Sequence, residues 1–321
     1  MKKLFIKICK LFGFEIIDQN SFSSPTLNKE LNENLSIINK KSIILPLGEV
    51  KITRKVKSIS IILRVNTNVE IWDQNKKRLF EKPKIEYSIR SINSLINSIN
   101  FCKNKFPNLN IKTIIIDDHS NKENLSRIQK LIDDKTEIIN LNHKKYEAKI
   151  KSQKTEETFS NLASLFQSFE IGKNESEDLI FFVEDDYLHF NSSIIEMIET
   201  YERVSSQIGK DIFICPSDYP YLYMDNSKTN ILIGSNRHWR TIHKTLCTFM
   251  TSKHLVNKYW ENFEKTCLDR NDPFEKHLNE IYEKEICISP IKSLSVHFTN
   301  INSSYGLAPF IDYKKLWDEN K

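Results

Sequence analysis

Two groups of adjacent acidic residues each follow a run of apolar residues. Asp117 and Asp118 follow TIII, and Glu184, Asp185 and Asp186 follow LIFFV. Adjacent carboxylates repel one another, so holding them beside a buried strand costs free energy unless positive charge compensates. Mg²⁺ and Mn²⁺ bind carboxylate oxygens and commonly share phosphate oxygens with a substrate. The alternative is a solvated junction with exposed acids, which is favoured for the first pair alone but less so for two clusters.

The segments around these acids alternate between strand and helix patterns. Strands are predicted at Lys57–Val65, Lys112–Asp118, Glu137–Leu141, Leu179–Asp186 and in DIFICP, and helices at Ile85–Phe101, Lys122–Ile132, Phe159–Phe169 and Ser193–Val204. Such alternation predicts βαβ units and a mostly parallel sheet covered by helices on both faces. Ligands bind at the carboxyl ends of the strands in such sheets, which is where both acidic clusters are predicted to lie.

The sequence lacks the glycine-rich motifs that bind phosphates in several large enzyme classes. It has only six glycines, with no GxGxxG, GxxxxGK[ST] or GxSxG pattern. This argues against a dinucleotide-binding dehydrogenase, a P-loop ATPase, a protein kinase and an α/β-hydrolase. Phosphate recognition must therefore come from a cation and from basic side chains.

The composition is that of a folded globular protein. Of 321 residues 39% are hydrophobic, and 47 Lys and Arg against 42 Asp and Glu leave a net charge of +5, too small to indicate a nucleic-acid partner. No apolar run approaches the roughly 20 residues that span a bilayer. The six cysteines are scattered without a CxxC pair, which predicts reduced, buried thiols, no structural zinc and a cytoplasmic location.

The N-terminal segment, residues 1–14, has the pattern of an amphipathic helix. Leu4, Phe5, Ile8 and Leu11 share one face, with lysines elsewhere. This suits a helix on an anionic membrane surface, so that the protein would be peripheral at the inner face of the cell membrane, and it equally suits a helix that docks on the core. A polar arm follows, and residues 1–55 are predicted to precede one catalytic domain, residues 56–321.

The order of these segments resembles a known family. SISIILRV, YSIRSINSLINSI, IKTIIIDDHSNKENL, FSNLASLFQSF and DLIFFVEDDY together resemble the nucleotide-sugar-binding half of GT-A-fold glycosyltransferases, especially family 2-like enzymes. The resemblance is good over Lys57–Phe190 and loose beyond. It implies an α/β, GT-A-like fold with a nucleotide-binding half (56–190) and an acceptor half (191–321), a nucleotide-diphospho-sugar donor, and a glycan or lipid-linked saccharide acceptor.

The same resemblance implies roles for the acids. Asp117 and Asp118 would bind the donor, with Asp118 at the nucleotide base. VEDDY resembles the DxD motif, so that Asp186 would ligate Mn²⁺ or Mg²⁺ at the diphosphate, while Glu184 or Asp185 would approach the ribose or sugar. The chain departs from the family in a long Asn66–Pro83 loop and in a Glu at the first position of the acidic pair, which leaves the register of the ligands open by one residue.

The second half of the chain contains further candidates. Arg237 and Arg240 flank Trp239, a combination that suits a diphosphate with a sugar or base stacked beside it, although a basic surface loop before a buried strand is nearly as good an explanation. The resemblance implies an acidic general base in DRNDPFEKHL, with Asp272 as first choice and Glu275 as second. The alternative for Asp272 is a helix N-cap before Pro273.

Two features near the C-terminus also bear on the site. His297 ends a predicted strand where some GT-A enzymes have a further metal ligand, although a lone histidine in an apolar segment is more often structural. The aromatic C-terminal segment SSYGLAPFIDYKKLW could close over the site as a lid.

Three functions remain in view. The first is metal-dependent transfer of a sugar, with inversion, in the synthesis of a surface glycan. The second is a metal-dependent phosphotransferase or hydrolase, although ILRVNTN lacks the acids that a haloacid-dehalogenase-type enzyme needs after its first strand. The third is a non-catalytic glycan-binding protein that keeps a GT-A-like fold, against which the intact acidic motifs argue.

Overall fold

The structure is a computed structural model that describes residues 2–14, 16, 41–44, 48–68, 79–151, 155–224, 226–298 and 307–321. Most of the predicted polar arm lies outside these residues. The part of the arm that is described contains two short antiparallel strands, β1 (Lys41–Ile44) and β2 (Gly48–Lys51). The proposed division of the chain into residues 1–55, 56–190 and 191–321 stays a prediction.

Helices and strands alternate through the described part of the chain. The remaining strands are β3 (Ser58–Val65), β4 (Asn110–Asp117), β5 (Thr136–Asn140), β6 (Leu179–Glu184), β7 (Tyr187–His189), β8 (Phe213–Ile214), β9 (Ile231–Ile233), β10 (His238–Ile242), β11 (Phe249–Ser252), β12 (Cys287–Pro290) and β13 (Ser295–His297). The helices are α1 (Lys2–Leu11), α2 (Lys84–Lys105), α3 (Lys122–Gln129), α4 (His143–Tyr146), α5 (Glu156–Glu175), α6 (Ser193–Ile208), α7 (Lys253–Lys258), α8 (Trp260–Leu268), α9 (Lys276–Tyr282) and α10 (Tyr313–Glu319).

The core of the fold is a nine-stranded sheet in the order β5-β4-β3-β6-β11-β8-β12-β10-β9. β10 and β11 pair antiparallel with their neighbours, and the other seven strands share one direction. The predicted fold class, an α/β GT-A-like architecture with a mostly parallel central sheet, is therefore confirmed. β7 and β13 form a separate two-stranded ribbon beside the large sheet.

Side chains of β3 alternate between two hydrophobic clusters, one on each face of the sheet. Ile59, Ile61 and Leu63 pack on the face covered by α2 and α6, whereas Ile62 packs on the face covered by α5 and α8. All eight residues of β3 are buried. A strand buried on both faces reads as a continuous apolar run, which is why SISIILRV predicted a central strand.

Several element boundaries differ from the sequence prediction. The strand in DIFICP is only two residues long, and α3 ends at Gln129 instead of Ile132. The predicted strand up to His297 is two strands, β12 and β13, that belong to different sheets. Short edge segments depend on pairing with distant strands, which local propensity does not report.

The cysteines and the N-terminal helix follow the prediction. All six cysteines are free, and five of them are buried. α1 is helical, and Leu4, Phe5, Ile8, Leu11 and Phe12 are exposed, so its apolar face does not cover a core among the described residues. A helix with both the length and the apolar character to cross a bilayer is absent from the described residues.

Candidate functional site

The sheet brings the two acidic clusters to either side of the end of β3. In the parallel register Val65 lies opposite Asp117 on β4, and Arg64 lies opposite Glu184 on β6. Both β4 and β6 therefore deliver their acids to the same carboxyl edge, as the alternating pattern predicted.

Asn66, the first residue after β3, connects the two clusters. Its side-chain amide donates to Asp118 Oδ2 at 2.7 Å, and its backbone N–H donates to Asp185 Oδ2 at 3.3 Å. The acids of two different strands thus share one hydrogen-bonding residue, which fixes their relative position.

Glu184 is held by a buried arginine. Arg64 donates to Glu184 Oε1 at 2.7 Å, and its other terminal nitrogen contacts Asn161 and Ser164 of α5. Thr248 donates to the second carboxylate oxygen at 3.3 Å. Burial raises the pKa of Glu184, the neighbouring Arg64 lowers it, and Asp186 raises it further. Arg64 therefore supplies protein charge that compensates part of the cluster.

Asp185 faces α2. Its Oδ1 lies 2.6 Å from Lys84 Nζ, and its Oδ2 accepts from Ser88 Oγ at 2.5 Å. Both residues belong to the first turns of α2, where a carboxylate is also favoured by the helix dipole. The carboxylate thus ties the loop after β6 to α2, and donor binding by Glu184 and Asp185 stays a prediction.

Asp186 lies beside His297, although 110 residues separate them in the chain. The β7–β13 ribbon pairs Tyr187 with His297, and Asp186 Oδ2 is 3.0 Å from His297 Nε2. The imidazole stacks on Tyr187 with 4.7 Å between ring centroids. One carboxylate oxygen and one imidazole nitrogen at this distance fit two ligands of a Mn²⁺ or Mg²⁺ ion whose remaining ligands would come from a diphosphate and water.

The acids after β4 have separate surroundings. Asp118 Oδ1 is 3.1 Å from His119 Nδ1 and 3.0 Å from His143 Nε2. Asp117 accepts from the backbone N–H of Ser120 at 3.1 Å, while its buried Oδ1 has no hydrogen-bond partner among the described residues. Burial raises the pKa of Asp117. A buried carboxylate oxygen of this kind is a suitable acceptor for a hydroxyl or amide of a ligand.

The prediction that Trp239 stacks on a sugar or base is wrong. Trp239 is fully buried, and its indole N–H donates to Glu196 of α6 at 3.3 Å. Arg237 donates to the backbone carbonyls of Lys292 at 2.6 Å and Ser293 at 3.4 Å. Because β10 is an inner strand of the sheet, its alternate side chains point into the core, and the structure does not bring Arg237 to the acidic clusters.

Arg240 is also buried, in an ion pair at the end of β8. Its guanidinium lies 2.5 Å from Asp218 Oδ1 and stacks on Tyr223 at 4.0 Å from the ring centroid. Tyr223 donates to the other oxygen of Asp218. Burial raises the pKa of Asp218, whereas the hydrogen bond from Tyr223 and the charge of Arg240 lower it. Donor binding by Arg240 stays a prediction.

The two candidates for the general base lie before α9. Asp272 is exposed, and the N-cap position of α9 is Glu275, so the proposed cap role of Asp272 is not observed. Burial raises the pKa of Cys247, and the charges of Glu275 and Glu184 raise it further. Glu275 therefore lies within electrostatic reach of the same thiol as Glu184.

The C-terminal segment packs against α2 and the ribbon. Trp317 contacts the rings of Phe80, Tyr87 and Phe298, with centroids 4.4, 4.7 and 5.7 Å apart. Phe298 follows the candidate ligand His297 directly. The predicted lid falls partly on residues outside the described ranges, and α10 itself is a packed element of the fold.

Sequence reasoning missed the residues that hold the acids. Arg64 within SISIILRV was a signal, because a charged side chain in a fully buried strand needs a partner. Lys84, Asn66 and His143 carried no comparable signal, since their contacts with the acids depend on tertiary packing.

Comparison with known proteins yields fold relatives alone. No protein-family model matches the chain, and no curated protein matches it in sequence. Among solved structures, the galactosyltransferase LgtC in complex with donor and acceptor sugar analogues is 9% identical, with 71% of this chain and 72% of that chain covered and a TM-score of 0.37.

Two further structures are similar to a comparable extent. The inositol-1-phosphate CTP transferase from T. maritima is 9% identical over 84% of this chain and 97% of its own, with a TM-score of 0.41. UDP-glucose pyrophosphorylase from Acinetobacter baumannii is 8% identical over 83% and 92%, with a TM-score of 0.38. At these identities the likeness concerns overall architecture, which is consistent with the GT-A-like arrangement of the strands, and it assigns no activity to the chain.

Proposed function

We propose that the protein is a metal-dependent glycosyltransferase that moves a sugar, with inversion, from a nucleoside diphosphate to a glycan or lipid-linked saccharide. The observation that carries the proposal is the convergence of two acidic clusters at one sheet edge, joined through Asn66, with Asp186 beside His297. A nucleotide could then bridge from the Asp117–Asp118 edge to the ribbon.

In this proposal Asp186 and His297 hold Mn²⁺ or Mg²⁺, while Asp117 and Asp118 bind the nucleoside. The cation supplies positive charge to the departing diphosphate. Arg64 keeps Glu184 oriented beside Asp186, and Lys84 keeps Asp185 against α2, so that the loop holding Asp186 is rigid. Arg237 and Arg240 are assigned supporting contacts with the 292–293 loop and with Asp218.

The first test is calorimetry of the full chain with UDP, GDP, CDP and dTDP, each with and without Mn²⁺. Binding of one nucleoside diphosphate that depends on Mn²⁺ is expected, together with its loss in Asp186→Asn. The matched control is Asp134→Asn, which changes an exposed aspartate outside the site. Mn²⁺-dependent binding that survives Asp186→Asn would move the metal elsewhere, and no binding of any nucleotide would favour the glycan-binding alternative.

The second test separates the candidate bases. Because the base removes a proton from the acceptor hydroxyl and does not bind the donor, its amide variant should bind the nucleotide normally but lose transfer. Asp272→Asn and Glu275→Gln are compared in a nucleotide-sugar turnover assay. Loss in Glu275→Gln alone is expected from its electrostatic proximity to the thiol that also senses Glu184. Full activity in both would exclude this segment as the source of the base.

We further propose that α1 lies on an anionic membrane surface, where a lipid-linked acceptor would be found. The helix presents exposed Leu4, Phe5 and Leu11, and its sequence KKLFIKICKL contains four lysines and no acid. The combination of an apolar face and one sign of charge favours anionic lipid. Sedimentation with vesicles of phosphatidylserine and phosphatidylcholine should retain the protein, whereas pure phosphatidylcholine or Phe5→Ser should release it. Equal binding to both vesicle types would contradict the charge argument.

A further inference from the structure

Two imidazoles converge on one carboxylate oxygen after β4. Asp118 Oδ1 is 3.1 Å from His119 Nδ1 and 3.0 Å from His143 Nε2, and the three atoms all lie within 4.8 Å of one another. Adjacent ligand atoms in a tetrahedral site with metal–ligand bonds of about 2.0 Å are about 3.3 Å apart. Two of the three separations are therefore already close to those of a metal centre.

We infer that Asp118, His119 and His143 form a second metal site, distinct from Asp186 and His297, that takes a late first-row dication such as Zn²⁺ or Co²⁺. Two imidazole nitrogens and one carboxylate oxygen match the ligand preference of these ions, whereas Mg²⁺ and Ca²⁺ prefer an all-oxygen set. Three protein ligands are the number found when one coordination position is left for water or a substrate group.

The surroundings hold the ligands in place. The second oxygen of Asp118 accepts from the Asn66 amide at 2.7 Å, so Oδ1 is left to face the two rings. The Asn68 amide donates to the backbone carbonyl of His119 at 2.8 Å, and the His119 and His143 rings lie 4.6 Å apart. Partners that orient a metal's ligands in this way strengthen metal binding.

The burial of the three residues leaves the open position accessible. Asp118 is buried and His143 partly buried, whereas 61% of the His119 side chain is exposed to solvent. A dication could enter from the side of His119, and the fourth ligand would be exchangeable. The inference does not depend on glycosyl transfer, because it concerns binding of the metal by the protein without nucleotide.

The test is a titration of the full chain with Co²⁺ in the absence of nucleotide, followed by visible absorption, with Zn²⁺ competing. The wild-type protein should bind one Co²⁺ in a four- or five-coordinate environment, seen as intense d–d bands that Zn²⁺ abolishes. His143→Ala and His119→Asn should each weaken binding by about 100-fold or more. Asn suits the second position because the backbone of His119 has φ of 55°, which Asn tolerates better than most residues.

Two controls separate this site from others. His254→Ala removes an exposed histidine of α7 and should leave the Co²⁺ spectrum unchanged. Asp186→Asn should also leave it unchanged, while it abolishes Mn²⁺-dependent nucleotide binding. Circular dichroism confirms that each variant is folded. The inference is overturned if wild-type protein gives no such spectrum, in which case both rings simply donate to Asp118, or if the spectrum survives in both histidine variants or disappears with Asp186→Asn.

Discussion

Removing Arg64 should reveal how much the acidic cluster depends on this one guanidinium. Arg64→Met keeps most of the side-chain volume but removes the contacts with Glu184 at 2.7 Å, Asn161 at 2.9 Å and Ser164 at 3.1 Å. Arg64 itself is buried, so Glu184 would lose its main compensating charge inside the fold. Asp186, whose charge already raises the pKa of Glu184, would remain beside it.

The expected cost follows from the burial of the pair. Removing one partner of a buried ion pair costs about 3–5 kcal/mol, and the lower end applies because the Glu184 side chain is 26% exposed. We therefore expect the free energy of unfolding to fall by about 3 kcal/mol. The double variant Arg64→Met/Glu184→Gln should recover about 1–2 kcal/mol, because no unpaired carboxylate remains.

The assay is equilibrium urea unfolding at neutral pH in the presence of a chelator, which removes any contribution from bound metal. The control is Arg127→Met, since Arg127 pairs with Glu86 at the surface and its loss should cost no more than about 1 kcal/mol. The reasoning is refuted if Arg64→Met costs no more than the control, or if removing the Glu184 carboxylate recovers nothing.

Three other changes test the packing around the site. Burial raises the pKa of Glu202 from 4.5 to about 7, so the folded state loses stability as pH rises through this interval; Glu202→Gln should remove that loss, worth about 3 kcal/mol above pH 7, in urea unfolding at several pH values. Gly234→Ala would place a Cβ 2.2 Å from Trp239 Nε1 and should lower the free energy of unfolding by about 1–3 kcal/mol; unchanged stability would mean that the indole can move. Tyr187→Phe removes a buried 2.6 Å hydrogen bond with the Tyr219 hydroxyl and should cost about 1–3 kcal/mol, with less additional loss when Tyr219→Phe is added; strict additivity would contradict the pairing.

Sequence patterns were sufficient for the parts of the site that depend on neighbouring residues. Apolar runs ending in acids placed Asp117 and Glu184 at strand ends, and the helical spacing around Leu162 and Ile195 located α5 and α6. Alternation of these elements then determined a mostly parallel sheet, because parallel strands need helical crossovers. The carboxyl edge as the place of the acids follows from that connectivity.

The roles of individual carboxylates were decided only by the tertiary structure. Glu184, Asp185 and Asp186 are adjacent in sequence, yet one faces Arg64, the next faces Lys84, and the third faces His297. Successive residues at a strand end point in different directions, and their partners come from β3, α2 and β13. The burial of Trp239 has the same origin, since whether an aromatic residue faces a ligand or the core depends on which strands flank it. A local pattern specifies the element, whereas the contacts between distant elements specify which side chains remain available for chemistry.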